Sequence, residues 1–194
     1  PVVTLNTDIE NSRRLAYVGS NYTKSGATAA GLMRRMTHDI VNIGIITGSS
    51  EILCHTERIA GFAETLRLTG GHMHIVSIVE AQDDEIESYE QTSRLLKEHP
   101  EINALFFAAG GVYGGCRAIT SLGLAGKLCV IAFDKADTTE HFLQQGVLSA
   151  VICQQPRIQG GRPLDLLFAY LTSGELPEKE YNYTAVDIRI LENI

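Results

Sequence analysis

Four polar residues stand at the ends of apolar runs, where they could act together on one ligand. Asn6 follows "VVTL", Asp134 follows "VIAF", Gln154 follows "AVIC", and Arg58 begins a helix after "TGSSEILCHTE". A lone polar residue at such a place is usually a turn former or a helix cap. Four at the carboxyl ends of one sheet offer a guanidinium fork, a carboxylate and amides, which can bind the vicinal hydroxyls of a sugar bidentately. The set therefore predicts a site for a neutral polyol.

No motif predicts catalysis, a metal ion or a cofactor. GxGxxG, GxxxxGK followed by Ser or Thr, and GxSxG are all absent. Of the 6 histidines only His72 and His74 stand close together, and two ligands without a third do not make a metal site. We therefore expect a non-catalytic chain with no cofactor and no metal.

Two glycine-rich junctions follow apolar runs, "TGSSE" at Thr47 to Glu51 and "AAGGVYGG" at Ala108 to Gly115. Backbone N–H groups at such a junction could face an anion or a sugar oxygen. The glycines could instead simply permit tight turns and close helix packing. The sequence leaves both interpretations open.

The elements that must position these residues alternate between strand and helix. Runs such as "NIGIIT", "ALFFAA" and "LCVIAF" are continuously apolar, which is typical of strands covered on both faces in a parallel sheet. The predicted strands are Val2 to Leu5, Ile43 to Thr47, His74 to Val79, Ala104 to Phe107, Leu128 to Phe133, Ala150 to Cys153 and Tyr183 to Ile190. The predicted helices are Thr23 to Met36, Thr56 to Leu68 with a stop at Gly70 and Gly71, Asp84 to Glu98, Val112 to Leu122, Thr138 to Gln145 and Arg157 to Thr172. This alternation predicts a doubly wound α/β fold with a parallel sheet and a ligand at the carboxyl ends of its strands.

Composition narrows the choice of function classes. The 194 residues carry 16 Lys plus Arg against 23 Asp plus Glu, a net charge of -7, which argues against unaided binding to a nucleic acid. The 4 cysteines form no CxxC pair and are predicted to be free buried thiols, which favours a reducing compartment. No run reaches the roughly 18 apolar residues of a membrane helix, so no membrane contact is expected.

Six segments in order resemble a known family, the type I periplasmic-binding-protein fold used by ribose-binding proteins and by the effector domains of lactose-repressor (LacI) type transcription regulators. They are "PVVTLNTD", "YVGSNYTKSGATAAGLM", "TERIAGFAETL", "VIAFD", "ICQQPRIQGG" and "VDIRILENI", and they extend over essentially the whole chain. The resemblance implies two similar lobes joined by three crossovers, with the sugar bound between them.

The resemblance also assigns roles to site residues. Arg58 matches the arginine that forks onto sugar hydroxyls, and Asp134 matches the acid that accepts hydrogen bonds from them. Gln154 looks like the glutamine on a later crossover. Asn6 stands where sugar binders often have Asp, and Asn21 resembles an Asp or Asn near the first crossover.

One departure concerns the loop after the fourth strand, where the family commonly has an Asn-Asp pair. Gly110 and Gly111 stand nearest to that slot, so the side-chain contact is lost. A backbone N–H group or a water molecule could replace it. Tyr113 could supply an apolar or hydroxyl wall.

The crossovers are expected near Ser20, Gln154 and Glu180. The second lobe would then be complete and comprise residues 21–153 and 181–194. The first lobe, residues 1–20 and 154–180, would be truncated, so that the chain holds only part of a sugar site.

The leading interpretation is the sugar-sensing effector domain of a LacI-type regulator in the cytoplasm. The resemblance implies a homodimer that contacts DNA through a helix-turn-helix outside this chain. The alternative is the sugar-binding receptor protein of an ABC-type uptake transporter, which has the same fold. A third possibility, an α/β enzyme that uses a nucleotide, lacks the phosphate motifs and catalytic pairs it would need.

Overall fold

The computed structural model describes residues 1–9, 11–69 and 71–194, which divide into two compact units. The smaller unit comprises Pro1–Asn21 and Gln154–Asp187, and the larger comprises Tyr22–Cys153 and Ile188–Ile194. The strands are β1 (Val3–Leu5), β2 (Ala16–Gly19), β3 (Val41–Thr47), β4 (Met73–Glu80), β5 (Ala104–Phe107), β6 (Cys129–Phe133), β7 (Ala150–Cys153), β8 (Tyr181–Tyr183) and β9 (Asp187–Arg189). The helices are α1 (Tyr22–Met36), α2 (Leu53–Thr69), α3 (Glu85–Glu98), α4 (Val112–Ser121), α5 (Asp137–Gln144), α6 (Pro156–Ser173) and a 3₁₀ turn at Leu191–Asn193.

The larger unit is built on a six-stranded sheet in the order β4-β3-β5-β6-β7-β9. The pairs β3–β4, β3–β5, β5–β6 and β6–β7 are all parallel. Strand β5 shows that helices pack on both faces of this sheet. Phe106 stacks on Phe62 of α2 with the ring centroids 4.6 Å apart, while Leu105 and Phe107 join the apolar cluster formed with α3, α4 and α5. Successive side chains of a strand point to opposite faces, so this run is apolar throughout.

The smaller unit contains a three-stranded parallel sheet in the order β1-β2-β8, with α6 packed on it. Ala16, Val18 and Leu166 form its small core, against which Val3 packs. Arg14 ties the stretch before β2 in place, because its guanidinium binds Asp8 through two nitrogens at 2.6 and 2.7 Å and Glu180 at 2.9 Å.

The predicted fold class is confirmed as an α/β fold with a parallel sheet and six α-helices among the described residues. Two strand predictions were wrong. Strand β2, Ala16–Gly19, lies where the sequence predicted no strand, and Tyr183 to Ile190 is not one strand. Its first part is β8, which pairs with β2, so residues 181–187 belong to the smaller unit and not to the larger.

The predicted helix stop at Gly70 lies outside the described residues. No helix in the described part of the chain is long and apolar enough to cross a membrane.

Candidate functional site

Arg58 is fixed at the carboxyl edge of the larger sheet. Its side chain projects from α2, the residue is 5% exposed, and Nη1 donates to the Ala108 carbonyl oxygen at 2.7 Å. The guanidinium carbon lies 4.0 Å from the ring centroid of Phe133 and 4.8 Å from that of Tyr22. Ala108 follows β5 and Phe133 ends β6, so the cation is clamped where two neighbouring strands end. A rigid guanidinium loses little entropy when it binds a ligand.

Two glycines explain how α2 can present Arg58 at this position. A Cβ atom added to Gly26 of α1 would lie 2.7 Å from the carbonyl carbon of Arg58. One added to Gly61 of α2 would lie 2.7 Å from the carbonyl carbon of Thr23. The helices therefore cross at backbone-to-backbone contact, which only glycine permits.

Asp134 follows β6 directly, in a backbone conformation that is rare for a residue with a side chain. Its φ is 67°. The turn is fixed because the Asp134 N–H donates to the Ile152 carbonyl oxygen at 2.8 Å and the Thr139 hydroxyl donates to the Asp134 carbonyl oxygen at 3.0 Å. The side chain is exposed at the same sheet edge as Arg58. Such strain persists only where the surroundings enforce it, and it is common at functional sites.

The loop after β5 is shaped by its neighbour, the loop after β4. The Gly110 N–H donates to Asp83 Oδ1 at 2.7 Å, and the Gly114 N–H donates to Glu85 Oε2 at 2.6 Å. A Cβ on Gly114 would lie 2.7 Å from the Glu85 carbonyl carbon. The glycines of this junction thus serve turn formation and close packing of α3 on α4, and the Gly110 N–H is already bonded to a carboxylate.

Tyr113 lies in the first turn of α4 and is 42% exposed. Its ring packs against Phe142 with the centroids 5.8 Å apart, and the Arg117 guanidinium carbon lies 5.9 Å from its centroid. The ring is thus held in place and could form one wall of a site.

His55 is a buried residue of this edge that the sequence interpretation did not single out. His55 Nδ1 lies 3.2 Å from the Ser49 nitrogen and 3.3 Å from the Ser49 carbonyl oxygen, and Nε2 lies 3.8 Å from Asp83 Oδ1. Burial lowers the pKa of His55, and the neighbouring Asp83 only partly opposes that shift. The imidazole is therefore neutral at neutral pH.

In the smaller unit, hydrogen bonds link the strand ends that carry Asn6, Asn21 and Gln154. The Tyr17 hydroxyl donates to the carbonyl oxygens of Asn6 at 2.6 Å and Ser20 at 3.1 Å. Asn6 has a φ of 62°, is exposed, and donates its N–H to the Val18 carbonyl oxygen at 3.1 Å. Asn21 is half-buried and follows Ser20 directly.

Gln154 is buried, and its carbonyl oxygen is the centre of a second part of this network. It accepts from Gln159 Nε2 at 2.6 Å and from the Thr184 hydroxyl at 3.1 Å, and the Ser20 and Thr184 hydroxyls lie 3.3 Å apart. The sequence did not indicate Gln159 and Thr184. Gln159 lies on α6 and Thr184 follows β8, and no pattern of residues connects these two elements. They position Gln154 and the residues around it.

The sequence-predicted residues therefore fall into two sets. Arg58, Asp134 and Gly110 share the carboxyl edge of the larger sheet, with Tyr113 on the helix that follows, and Asp83 and His55 join them. Asn6, Asn21 and Gln154 form the set in the smaller unit. Within the described residues, no group of three or more His, Cys, Asp or Glu side chains could hold a metal ion.

Each set combines rigid strand-end geometry with amide, carboxylate or guanidinium groups. A parallel α/β fold with such polar strand ends defines a small-molecule binding protein. Comparison with known proteins gives the family: residues 1–176 match the periplasmic binding protein domain, and the chain belongs to that family.

The matched relatives are sugar-binding proteins. The ribose import binding protein RbsB of Escherichia coli is 23% identical over 98% of this chain, which spans 62% of that relative. The glucose-galactose binding protein GanP of Geobacillus stearothermophilus is 27% identical, with a TM-score of 0.93 over 100% of this chain and 69% of that one. An ABC transporter solute-binding protein of Burkholderia graminis, solved with D-arabinose, is 26% identical, with a TM-score of 0.93 over 99% of this chain and 67% of that one. The chain thus spans somewhat less than two thirds of the length of the curated relative.

These findings confirm the type I periplasmic-binding-protein resemblance and the prediction of a non-catalytic chain. They overturn the prediction of a LacI-type transcription regulator, because the relatives are binding proteins of sugar import. The predicted DNA contact and homodimer followed from the regulator interpretation and are withdrawn with it.

The prediction of a cytoplasmic protein was also wrong, since the family is one of periplasmic binding proteins. It rested on the four free cysteines, Cys54, Cys116, Cys129 and Cys153. Burial raises the pKa of Cys116 and of Cys129 above the usual thiol range. The thiolate is the reactive form, so such buried thiols are inert and give little information about the redox compartment.

Proposed function

We propose that this chain is the sugar-binding part of a solute receptor protein that serves an ABC-type importer outside the cytoplasm. Arg58, Asp134, Tyr113 and the Gly110 turn would contact the sugar from the larger unit. Asn6, Asn21 and Gln154 are the candidate sugar contacts of the smaller unit.

The observation that carries the proposal is that a clamped cation and a carboxylate lie at the same edge of the larger sheet. Arg58 is clamped over Phe133, and Asp134 is the next residue along the chain. A guanidinium donates to sugar oxygens while a carboxylate accepts from sugar hydroxyls, so together they match a vicinal diol. Relatives that bind ribose, glucose or galactose, and D-arabinose support a pentose or a hexose as the ligand.

Sugar titration tests this proposal. The full-length gene product is titrated calorimetrically with D-ribose, D-arabinose, D-glucose and D-galactose, beside an Asp134→Asn variant. Asn preserves the shape but removes the charge, so the affinity for the preferred sugar should fall by about 10- to 100-fold, the usual scale for hydrogen bonds to charged groups.

Asp137→Asn is the matched control, because Asp137 is exposed in the first turn of α5, three residues beyond the proposed contact. It should bind sugar like the wild type. If the wild type binds none of the four sugars, or if Asp134→Asn binds as tightly as the control, the proposal is refuted.

A further inference from the structure

The loop after β4 places a second carboxylate at the same sheet edge. Beyond the strand, the N–H groups of Ala81 and Gln82 still bond to β3 and to the residue after it, with the Thr47 and Gly48 carbonyl oxygens as acceptors at 2.7 and 2.9 Å. Asp84 then caps α3, since its Oδ1 accepts from the N–H groups two and three residues on, each at 2.9 Å. Asp83 is therefore not needed as the helix cap, although the pair of acids in the sequence suggests that both serve the helix dipole.

The Asp83 carboxylate lies over two glycines at the ends of neighbouring strands. Besides accepting from the Gly110 N–H, it occupies the space that side chains at these positions would need. A Cβ on Gly48 would lie 2.5 Å from Asp83 Oδ2, and a Cβ on Gly110 would lie 2.9 Å from Oδ1. Asp83 thus fills the slot that the glycines of the β5–α4 loop leave without a side chain.

This carboxylate has one oxygen left for a ligand. His55 Nε2 lies 3.8 Å from Asp83 Oδ1, and the imidazole is neutral at neutral pH because burial lowers its pKa. The Asp83 side chain is 41% exposed. Among the described residues, Oδ2 has no hydrogen-bond partner, whereas Oδ1 is anchored on Gly110.

The backbone at Asp83 repeats a feature of two residues already placed in the site. Asp83 has a φ of 56°, against 62° for Asn6 and 67° for Asp134, and each stands at or just beyond the carboxyl end of a strand. A left-handed conformation is uncommon for residues other than glycine, and Asn and Asp adopt it more readily than the rest. Its recurrence at these strand ends associates Asp83 with the binding edge.

We propose that Asp83 is a specificity-determining contact, which accepts a hydrogen bond from a sugar hydroxyl or amino group at the Gly110 slot and excludes sugars that carry a carboxylate there. This inference rests on the proposed sugar-binding function. The sequence suggested a backbone N–H donor at this slot, whereas Asp83 provides a carboxylate acceptor. The ligand must therefore donate a hydrogen bond at this slot and not accept one.

Neutral and acidic sugars distinguish the two possibilities. The full-length gene product and its Asp83→Asn variant are titrated with D-glucose and D-galactose, and with D-glucuronate and D-galacturonate. Asn still accepts from the Gly110 N–H, so the turn is preserved. The variant should bind the preferred neutral sugar about tenfold more weakly, and the preference for it over the matching uronate should shrink at least as much.

Asp84→Asn is the matched control, because it removes the same charge one residue away and Asn also caps helices well. It should leave the affinities and the neutral-to-uronate ratio unchanged. If the wild type binds neutral sugar and Asp83→Asn changes neither quantity, this inference is overturned while the proposed function stands. A wild type that binds no sugar overturns both.

A second variant covers the case in which Asp83→Asn does not fold. Gly48→Ala keeps every charge but pushes a methyl group against Asp83 Oδ2 and the His55 ring, each 2.5 Å from the added Cβ. Because the His55 ring is buried, the exposed carboxylate is the group that moves more easily. Sugar affinity should again fall about tenfold. Wild-type affinity in a folded Gly48→Ala protein overturns the inference.

Discussion

Replacing Gly26 by alanine tests whether the contact between α1 and α2 holds Arg58 in place. The added Cβ would lie 2.7 Å from the Arg58 carbonyl carbon, whereas ordinary contact begins at 3.4 Å, and the carbonyl oxygen is closer still. Because the oxygen is the closest atom, the helices must separate by about 1.2 to 1.6 Å. Because Arg58 moves with α2, its 2.7 Å hydrogen bond to the Ala108 carbonyl oxygen would stretch beyond hydrogen-bonding distance.

The expected magnitude follows from three contributions. Forced overpacking costs about 1 to 3 kcal/mol, and the lost hydrogen bond of a charged group costs about 1.5 to 3 kcal/mol. Against these, replacing glycine by alanine within a helix gains up to about 1 kcal/mol. The free energy of unfolding should therefore fall by about 2 kcal/mol or more, and sugar affinity by at least about tenfold, since the guanidinium is displaced.

Gly31→Ala is the matched control in the same helix, because a Cβ there would meet nothing within 4 Å. It should leave sugar affinity unchanged and stabilise the protein slightly. Urea denaturation measures the free energy of unfolding of both variants, and calorimetric titration measures their sugar affinity. The reasoning is refuted if Gly26→Ala is as stable as Gly31→Ala and binds sugar as tightly.

Two further predictions concern pH. Burial alone would raise the pKa of Asp8, but hydrogen bonds from Arg14, Thr4 and the Ile9 backbone together lower it, so its contribution to stability is present above about pH 4 and is lost as the pH falls through the folded-state pKa. Asp8→Asn should reduce the free energy of unfolding at pH 7 by about 1.5 to 3 kcal/mol and flatten its acid dependence; equal slopes between pH 5 and 3 would contradict this. The lowered pKa of His55 stabilises the fold above about pH 6.5, and this contribution is lost as the pH falls below that value. His55→Asn should remove this loss, whereas the same substitution at the exposed His74 should retain it.

Much of the fold could be predicted because the larger unit is built from local patterns. Continuous apolar runs such as Ala104 to Phe107 are typical of strands covered on both faces, and their polar termini predict the edge at which a ligand binds. Strand β2 escaped prediction because Ala16–Gly19 is short and stands at the end of a polar stretch. Its burial depends on β1, β8 and α6, and β8 and α6 lie more than 130 residues away in the sequence.

The role of Asp83 could not be predicted from the pair Asp83 and Asp84, because the two side chains separate through backbone geometry. Successive left-handed residues at Gln82 and Asp83 turn one carboxylate away from α3, while the next residue returns to extended geometry and caps the helix. Sequence shows two adjacent acids and a helix start, for which the helix dipole is a sufficient explanation. Only the Gly110 N–H, 27 residues further on, shows where the first carboxylate lies.

The site residues do not distinguish a regulator from a receptor; the comparison with known proteins does. Both classes need the same grip on a polyol, so Arg58, Asp134 and Gln154 are equally compatible with either. The cysteines were a feature of the sequence that favoured the regulator, and their burial makes them uninformative. In the proposed site, the Arg58 guanidinium shares one sheet edge with the carboxylates of Asp134 and Asp83 and with a neutral imidazole. That balance of charge would disfavour acidic sugars and would suit a neutral sugar or an amino sugar.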